Sequence, residues 1–185
     1  MNRIRCGWVS NDPLYQDYHD HEWGKPVHDR QRLFEMLCLE GQQAGLSWIT
    51  VLKKREGYRK AFHHFDPKKI IQLTDKDIDS LVQNLDIIRS RNKIKAIIQN
   101  AHAYRDMQKK GEDFSEFIWS FSPKQPGIRY KDCREFPTQT EESGEMSKAL
   151  KKRGFNFVGP TICYAFMQAV GLVNDHSADC FCAKK

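Results

Sequence analysis

Gly154-Phe155-Asn156-Phe157-Val158-Gly159-Pro160-Thr161 reads as a tight hairpin between two helices. Gly154 can take a positive φ and so end the helix before it, while Gly159 lets the backbone approach a neighbour closely. Pro160 suits the first position of the next helix, because the N–H it lacks has no partner there anyway. The N–H groups that follow are unpaired and point outward, a seat for a phosphate. The preceding helix carries Lys148, Lys151, Lys152 and Arg153, cations suited to the flanks of a polyanion. The same octapeptide also serves an ordinary helical hairpin with a solvated basic face.

Working outward, the period remains helical. Asp29 is a good cap for a helix whose apolar face is Leu33, Phe34, Leu37 and Cys38. Ser47 is placed to cap a second helix carrying Trp48, Val51, Leu52, Tyr58, Phe62 and Phe65. Asp66-Pro67 sets a cap before a proline at the first helical position, and Thr74 with Asp77 resembles a capping box. A longer helix is predicted from Ser90 to Lys110, stopped by Gly111, and a short one around Phe114, Phe117, Ile118 and Phe121. Residues 122–144 read as a long surface connection. Helices from Glu145 to Arg153 and from Pro160 to Val170 complete the chain. With no alternating run long enough for a sheet, the class is all-α.

The chain has 185 residues, enough for one domain over residues 1–185 built as two helical lobes. Its net charge is +6 and its pI about 9.0, which favours a polyanionic partner. No run is apolar enough to span a bilayer, and Met1 to Trp8 lacks a signal-peptide core, so a cytoplasmic location and no membrane partner are expected. Six cysteines are present, and in that compartment they stay reduced. Cys38 and Cys163 fall in apolar helical patterns as core thiols.

Two constellations carry chemistry. Helical spacing puts Glu40 beside Leu33 and Leu37 at the edge of the apolar face, where a carboxyl is partly buried. Glu40-Gly41-Gln42-Gln43-Ala44-Gly45-Leu46-Ser47-Trp48 then brings glycines, amides and an indole to it. Trp8, Tyr15, Tyr18 and Trp23 crowd the N-terminal region. Flat faces and a few polar groups suit a flipped base; equally, the tryptophans are core and Glu40 pairs with a lysine. The second constellation is Cys6 and His19 near one end with His176 and Cys180 near the other. Two thiolates and two imidazoles make a closed tetrahedral zinc site that ties the ends together. Cys182, His21 and His28 are rival ligands, and unligated thiols are the plain alternative.

Together these segments closely resemble the 3-methyladenine DNA glycosylase I family, a branch of the helix-hairpin-helix DNA glycosylases. The matching segments are Arg5-Cys6-Gly7-Trp8, Tyr18-His19-Asp20 through Glu22-Trp23-Gly24, Leu39 to Trp48, Ile87-Ile88-Arg89, and Lys151 through His176. The resemblance implies one structural zinc per chain, held by Cys6, His19, His176 and Cys180, and a base pocket of Trp8, Tyr15, Tyr18, Glu40 and Trp48, with Glu40 the catalytic residue. It further implies DNA contacts at Gly45 and Leu46, with Leu46 plugging the gap in the duplex, and at Lys152, Gly154, Gly159 and Thr161 in the hairpin region. The implied substrate is double-stranded DNA containing alkylated adenine, the product free 3-methyladenine, and the enzyme a monomer. Relatives that also cut the strand carry a lysine where this chain has Thr161, and many carry a catalytic Asp where it has Asn174, unless a shift of one makes Asp175 the counterpart. The expected enzyme is therefore monofunctional. A DNA-binding module without catalysis, and a zinc-stapled interaction protein, are the two competing readings.

Overall fold

The computed structural model describes residues 3–124 and 130–183, and among them every regular element is helical. Helix α1 (Pro13–His21) starts where Asp12 accepts the Leu14 N–H at 3.0 Å ahead of Pro13. Helix α2 (Arg30–Gln42) begins as expected, with Asp29 accepting from Arg32 N at 2.7 Å. From Leu33 to Gln42 every α2 residue is buried, polar ones included, so α2 is the axis of the molecule rather than a half-exposed helix.

The helix expected after Ser47 is instead two short ones, α3 (Trp48–Leu52) and α4 (Arg55–Ala61), followed by a 3-10 turn over His63–Phe65. Ser47 leaves the backbone uncapped and bonds the Thr50 hydroxyl at 2.8 Å. One straight rod over those residues would run to about 27 Å at 1.5 Å per residue. Broken, it buries Trp48, Leu52, Tyr58, Phe62 and Phe65 in one core. Next come α5 (Pro67–Ile70), α6 (Asp75–Leu81), α7 (Arg91–Lys109) and α8 (Phe114–Trp119). The Thr74–Asp77 capping box is present, and Gly111 follows α7 with φ +79°.

Residues 122–144 are not all connection. A 3-10 turn spans Cys133–Glu135, and α9 (Glu141–Lys152) starts four residues before the expected Glu145. Thr140 and Ser143 cause this by capping each other: Ser143 N donates to Thr140 Oγ1 at 3.3 Å, and Thr140 N donates to Ser143 Oγ at 2.9 Å. Helix α10 (Pro160–Ala169) packs on α9 and α2, and α7 packs on α2, α5 and α6.

The α9–α10 hairpin is held from three sides. Gly154 takes φ +91°, a conformation that favours glycine. Buried Asn100 of α7 donates to Asn156 O at 3.2 Å and accepts from Asn156 N at 2.7 Å. Ser147 donates to Val158 O at 2.6 Å. On the α2 side, a Cβ at Gly41 would meet Phe157 Cβ and O at 3.1 Å, whereas a Cβ at Gly159 would meet no atom of the described residues within 4 Å beyond its own chain neighbours. The close approach inside the fold is therefore made by Gly41, not Gly159.

Ion pairs knit α1, α2 and α4. Glu22, just past α1, takes both Arg55 nitrogens at 2.7 and 2.8 Å and Arg32 at 2.6 Å. Glu35 takes Arg32 and Arg59 at 2.8 Å each. The paired arms of Arg55 fix angle as well as distance. No helix among the described residues is long and apolar enough to cross a membrane.

Candidate active site

Glu40, two residues before the end of α2, faces a cavity of about 160 Å³ lined by Trp8, Tyr15, Tyr18, Trp23, Glu40, Gln43, Trp48, Phe136, Ala165 and Gln168. All five residues of the expected base pocket are in that wall. Tyr18 of α1 and Trp48 of α3 have ring centroids 5.4 Å apart, and Trp8 lies 5.0 Å from both Tyr15 and Trp23. Phe136, Ala165 and Gln168 were not legible as pocket residues. Phe136 belongs to the segment read as connection, and its one sign was a large apolar side chain in a polar run.

Glu40 is 3% exposed, and among the described residues no lysine lines its cavity. Its Oε2 is buried without a hydrogen-bond partner, and so is the Trp48 indole Nε1. Unmet buried polar atoms are costly, and two of them on one cavity wall mark a place where a polar ligand is welcome. Burial alone pushes the Glu40 pKa from 4.5 up to about 8, so at neutral pH the carboxyl is mostly the neutral acid. The two amides after it divide the work. Gln43 lines the cavity, whereas Gln42 turns into the core, accepting from Tyr58 OH at 2.9 Å and donating to Lys93 O at 3.2 Å. Lys93 Nζ in turn donates to Gln42 O and Ala44 O at 2.7 Å each, satisfying carbonyls at the α2 end and fixing the loop beyond it.

Behind the aromatic wall lie the clasp residues. One donor atom each from His19, His176, Cys180 and Cys182 fall within 4.8 Å of one another. Cys6, expected in the set, is buried beside Cys180 but is not one of that quartet; its Sγ accepts from Ser177 N at 3.4 Å. Both imidazoles are set for a metal. His176 Nδ1 lies 2.8 Å from Asn174 Oδ1 and His19 Nδ1 lies 2.9 Å from Asp20 Oδ1. Those oxygens accept, so each Nδ1 carries the hydrogen and each Nε2 keeps its lone pair. His176 Nε2 is buried and without a partner. Arg5 holds Asp20 with two bonds at 2.8 and 2.7 Å, drawing that acid's pKa to about 2. The residues fit a divalent ion with mixed sulfur and nitrogen ligands.

Asn174 therefore has work of its own. Asp175, the alternative counterpart, is buried and accepts from Tyr164 OH at 2.5 Å and from Gln168 Nε2 at 2.8 Å. Asp175 does not itself line the cavity; its hydrogen-bond partner Gln168 does.

The methyladenine glycosylase family model matches residues 8–183. The chain belongs to that family. The glycosylase is 62% identical over 179 residues to the DNA-3-methyladenine glycosylase of Haemophilus influenzae, covering 96% of this chain and 97% of that one. It is 61% identical to DNA-3-methyladenine glycosylase 1 of Escherichia coli, covering 96% of each. A crystal structure of 3-methyladenine DNA glycosylase I superposes with a TM-score of 0.94 at 59% identity, over 97% of this chain and 99% of that one. A structure of the Staphylococcus aureus enzyme, described as the structural basis of 3-methyladenine recognition, superposes with a TM-score of 0.90 at 40% identity, over 98% and 97%.

In the glycosylase the expected DNA contacts fall in two places. Gly45, with φ +74°, and Leu46, 42% exposed, form the turn between the Glu40 helix and Trp48. Lys152, Gly154, Gly159 and Thr161 belong to the hairpin region, with Lys152 and Thr161 exposed. Gly159 precedes α10 without any side-chain cap, which leaves the first N–H groups of that helix free for an anion.

Proposed function

We propose that the aromatic cavity holds an alkylated adenine swung out of duplex DNA, with Glu40 reading its edge. The enzyme is a DNA-3-methyladenine glycosylase, a hydrolase of N-glycosyl bonds that excises 3-methyladenine in base excision repair. The observation carrying the pocket assignment is the buried Glu40 Oε2, without a hydrogen-bond partner, beside the unpartnered Trp48 Nε1 in a cleft walled by Tyr18 and Trp8.

The chemistry follows from the lesion. Methylation at N3 makes the base cationic within DNA, so it departs as a neutral molecule and asks for little acid catalysis. The C1′–N9 bond breaks, its electron pair goes to the base, and water adds to the oxocarbenium-like sugar with loss of a proton. Tyr18 and Trp48 flank the base, and their electron-rich faces favour a cation. Glu40 enters as a neutral acid able both to donate and to accept; a cationic base against it favours its ionised form. Among the described residues no lysine lines the cavity, which supports release by water rather than through a Schiff base. A damaged base is also the easier one to unstack.

Leu46 fills the gap left in the duplex, and the hairpin with Lys152 and Thr161 grips the backbone. Cys6, His19, His176 and Cys180 hold one structural zinc. When bound, it cross-links the two chain ends and supplies no reacting water. A cytoplasmic monomer suits a protein that scans DNA.

The test is release of free 3-methyladenine from alkylated duplex DNA. Glu40→Gln is expected to fold and to lose about 100-fold in excision, the scale of removing one preorganised polar group. Undiminished release would remove Glu40 from the mechanism.

A further inference from the structure

The clasp holds one thiol more than a tetrahedral site uses. His176 Nε2 is without a partner and His19 Nε2 lies 3.4 Å from Cys180 Sγ and 3.5 Å from Cys6 N; the two imidazoles leave two places for Cys6, Cys180 and Cys182. The tight quartet contains Cys180 and Cys182. Cys6 keeps contact with Cys180 from alongside and is steadied by the Ser177 N–H.

Exposure separates the three. Cys6 and Cys180 are each 1% exposed and His19 is fully enclosed, whereas Cys182 is only partly buried. Cys182 also lines a cavity of about 800 Å³ together with Arg3, Asp20, Trp23, Asn174 and His176. A hydrated cation has to shed water stepwise as protein ligands replace it, and it needs an entry path to do so. In this fold the cavity reaches the cluster, and Cys182 is the sulfur that lines it. Its backbone N–H donates to Cys180 Sγ at 3.4 Å, so the two sulfurs sit on one short turn.

We propose that Cys182 is the exchange ligand of the zinc clasp, taking an incoming ion from the cavity and then yielding its place to Cys6. This rests on the zinc reading above. The Cys182 thiolate leaves the ion as the Cys6 thiolate joins it, and the proton given up by Cys6 returns to Cys182, so no oxidant or reductant is involved. The hand-over moves the ion from a sulfur open to the cavity to one sealed behind the N-terminal segment. Loading is thereby possible without unfolding the chain ends, and leakage is slow afterwards.

The experiment uses the full chain and the chelating dye 4-(2-pyridylazo)resorcinol, which colours on taking up zinc. Wild type with no zinc by elemental analysis would sink the clasp itself, separately from this inference. Given zinc in wild type, Cys182→Ser is expected to purify with about one zinc per chain and to pass it to the dye about tenfold more slowly, the low end of what altered metal surroundings cost. Cys6→Ser is expected to keep zinc through Cys182, and Cys6→Ser/Cys182→Ser to lose it. Transfer from Cys182→Ser at the wild-type rate would overturn the proposal. So would Cys182→Ser purifying empty, since Cys182 would then be a resident ligand. Cys6→Ser that folds by circular dichroism but holds no zinc would overturn it as well.

Discussion

Single side chains here answer to measurement. Glu40 holds its proton more tightly folded, at about 8, than its ordinary 4.5, because burial penalises the anion. The stability tied to that proton is complete below pH 4.5 and is lost as pH rises through 8. Glu40→Gln removes the penalty, so its advantage over wild type in urea unfolding is expected to grow from pH 5 to pH 9, reaching roughly 2–4 kcal/mol. Equal unfolding midpoints at pH 9 would mean that the carboxyl is wet. Asn174 acts on the metal side. With its Oδ1 on His176 Nδ1 at 2.8 Å, it selects the ring form that leaves Nε2 free. Asn174→Ala is expected to weaken zinc binding by about 10–100-fold, read by competition with a chelator.

Whole elements were legible where their caps were conventional and obscure where they were not. Asp29, Thr74 and Gly111 bound their helices as the sequence suggests. Helix α1 carries the same signal as Asp66-Pro67, a cap followed by proline, but its aromatics and histidines leave it without a clean apolar stripe. The start of α9 hid because serine, rather than glutamate, closes the box with Thr140. The pocket was legible from α1 and α2, whose residues lie near one another in sequence. Phe136, Ala165 and Gln168 arrive through tertiary packing that no local pattern encodes. Gly41 links the two functional elements, since it lets Phe157 of the hairpin lie on α2 one residue from Glu40. Gly41→Val is expected to push them apart, costing about 1–3 kcal/mol of stability by overpacking, and to weaken DNA binding in a fluorescence titration. A stability loss with unchanged DNA affinity would uncouple hairpin placement from α2.

At the scale of the molecule, the clasp joins residues separated by more than 150 positions, as in the 3.4 Å contact of Cys180 Sγ with His19 Nε2. Chelation is expected to lower the thermal midpoint by about 2–8 °C, the shift that follows from losing about 1–2 kcal/mol in a chain of this size. Single-turnover excision on pre-bound DNA should change less. A midpoint insensitive to chelation would leave the clasp without a structural role.

Trp23 belongs to both halves of this design. Its ring sits 4.6 Å from that of His176 and also forms part of the wall around Glu40. One indole is thus a party wall between the anchor and the reading room. Were a metal held there and then lost, the wall that Trp23 shares with His176 is the part of the pocket expected to loosen first.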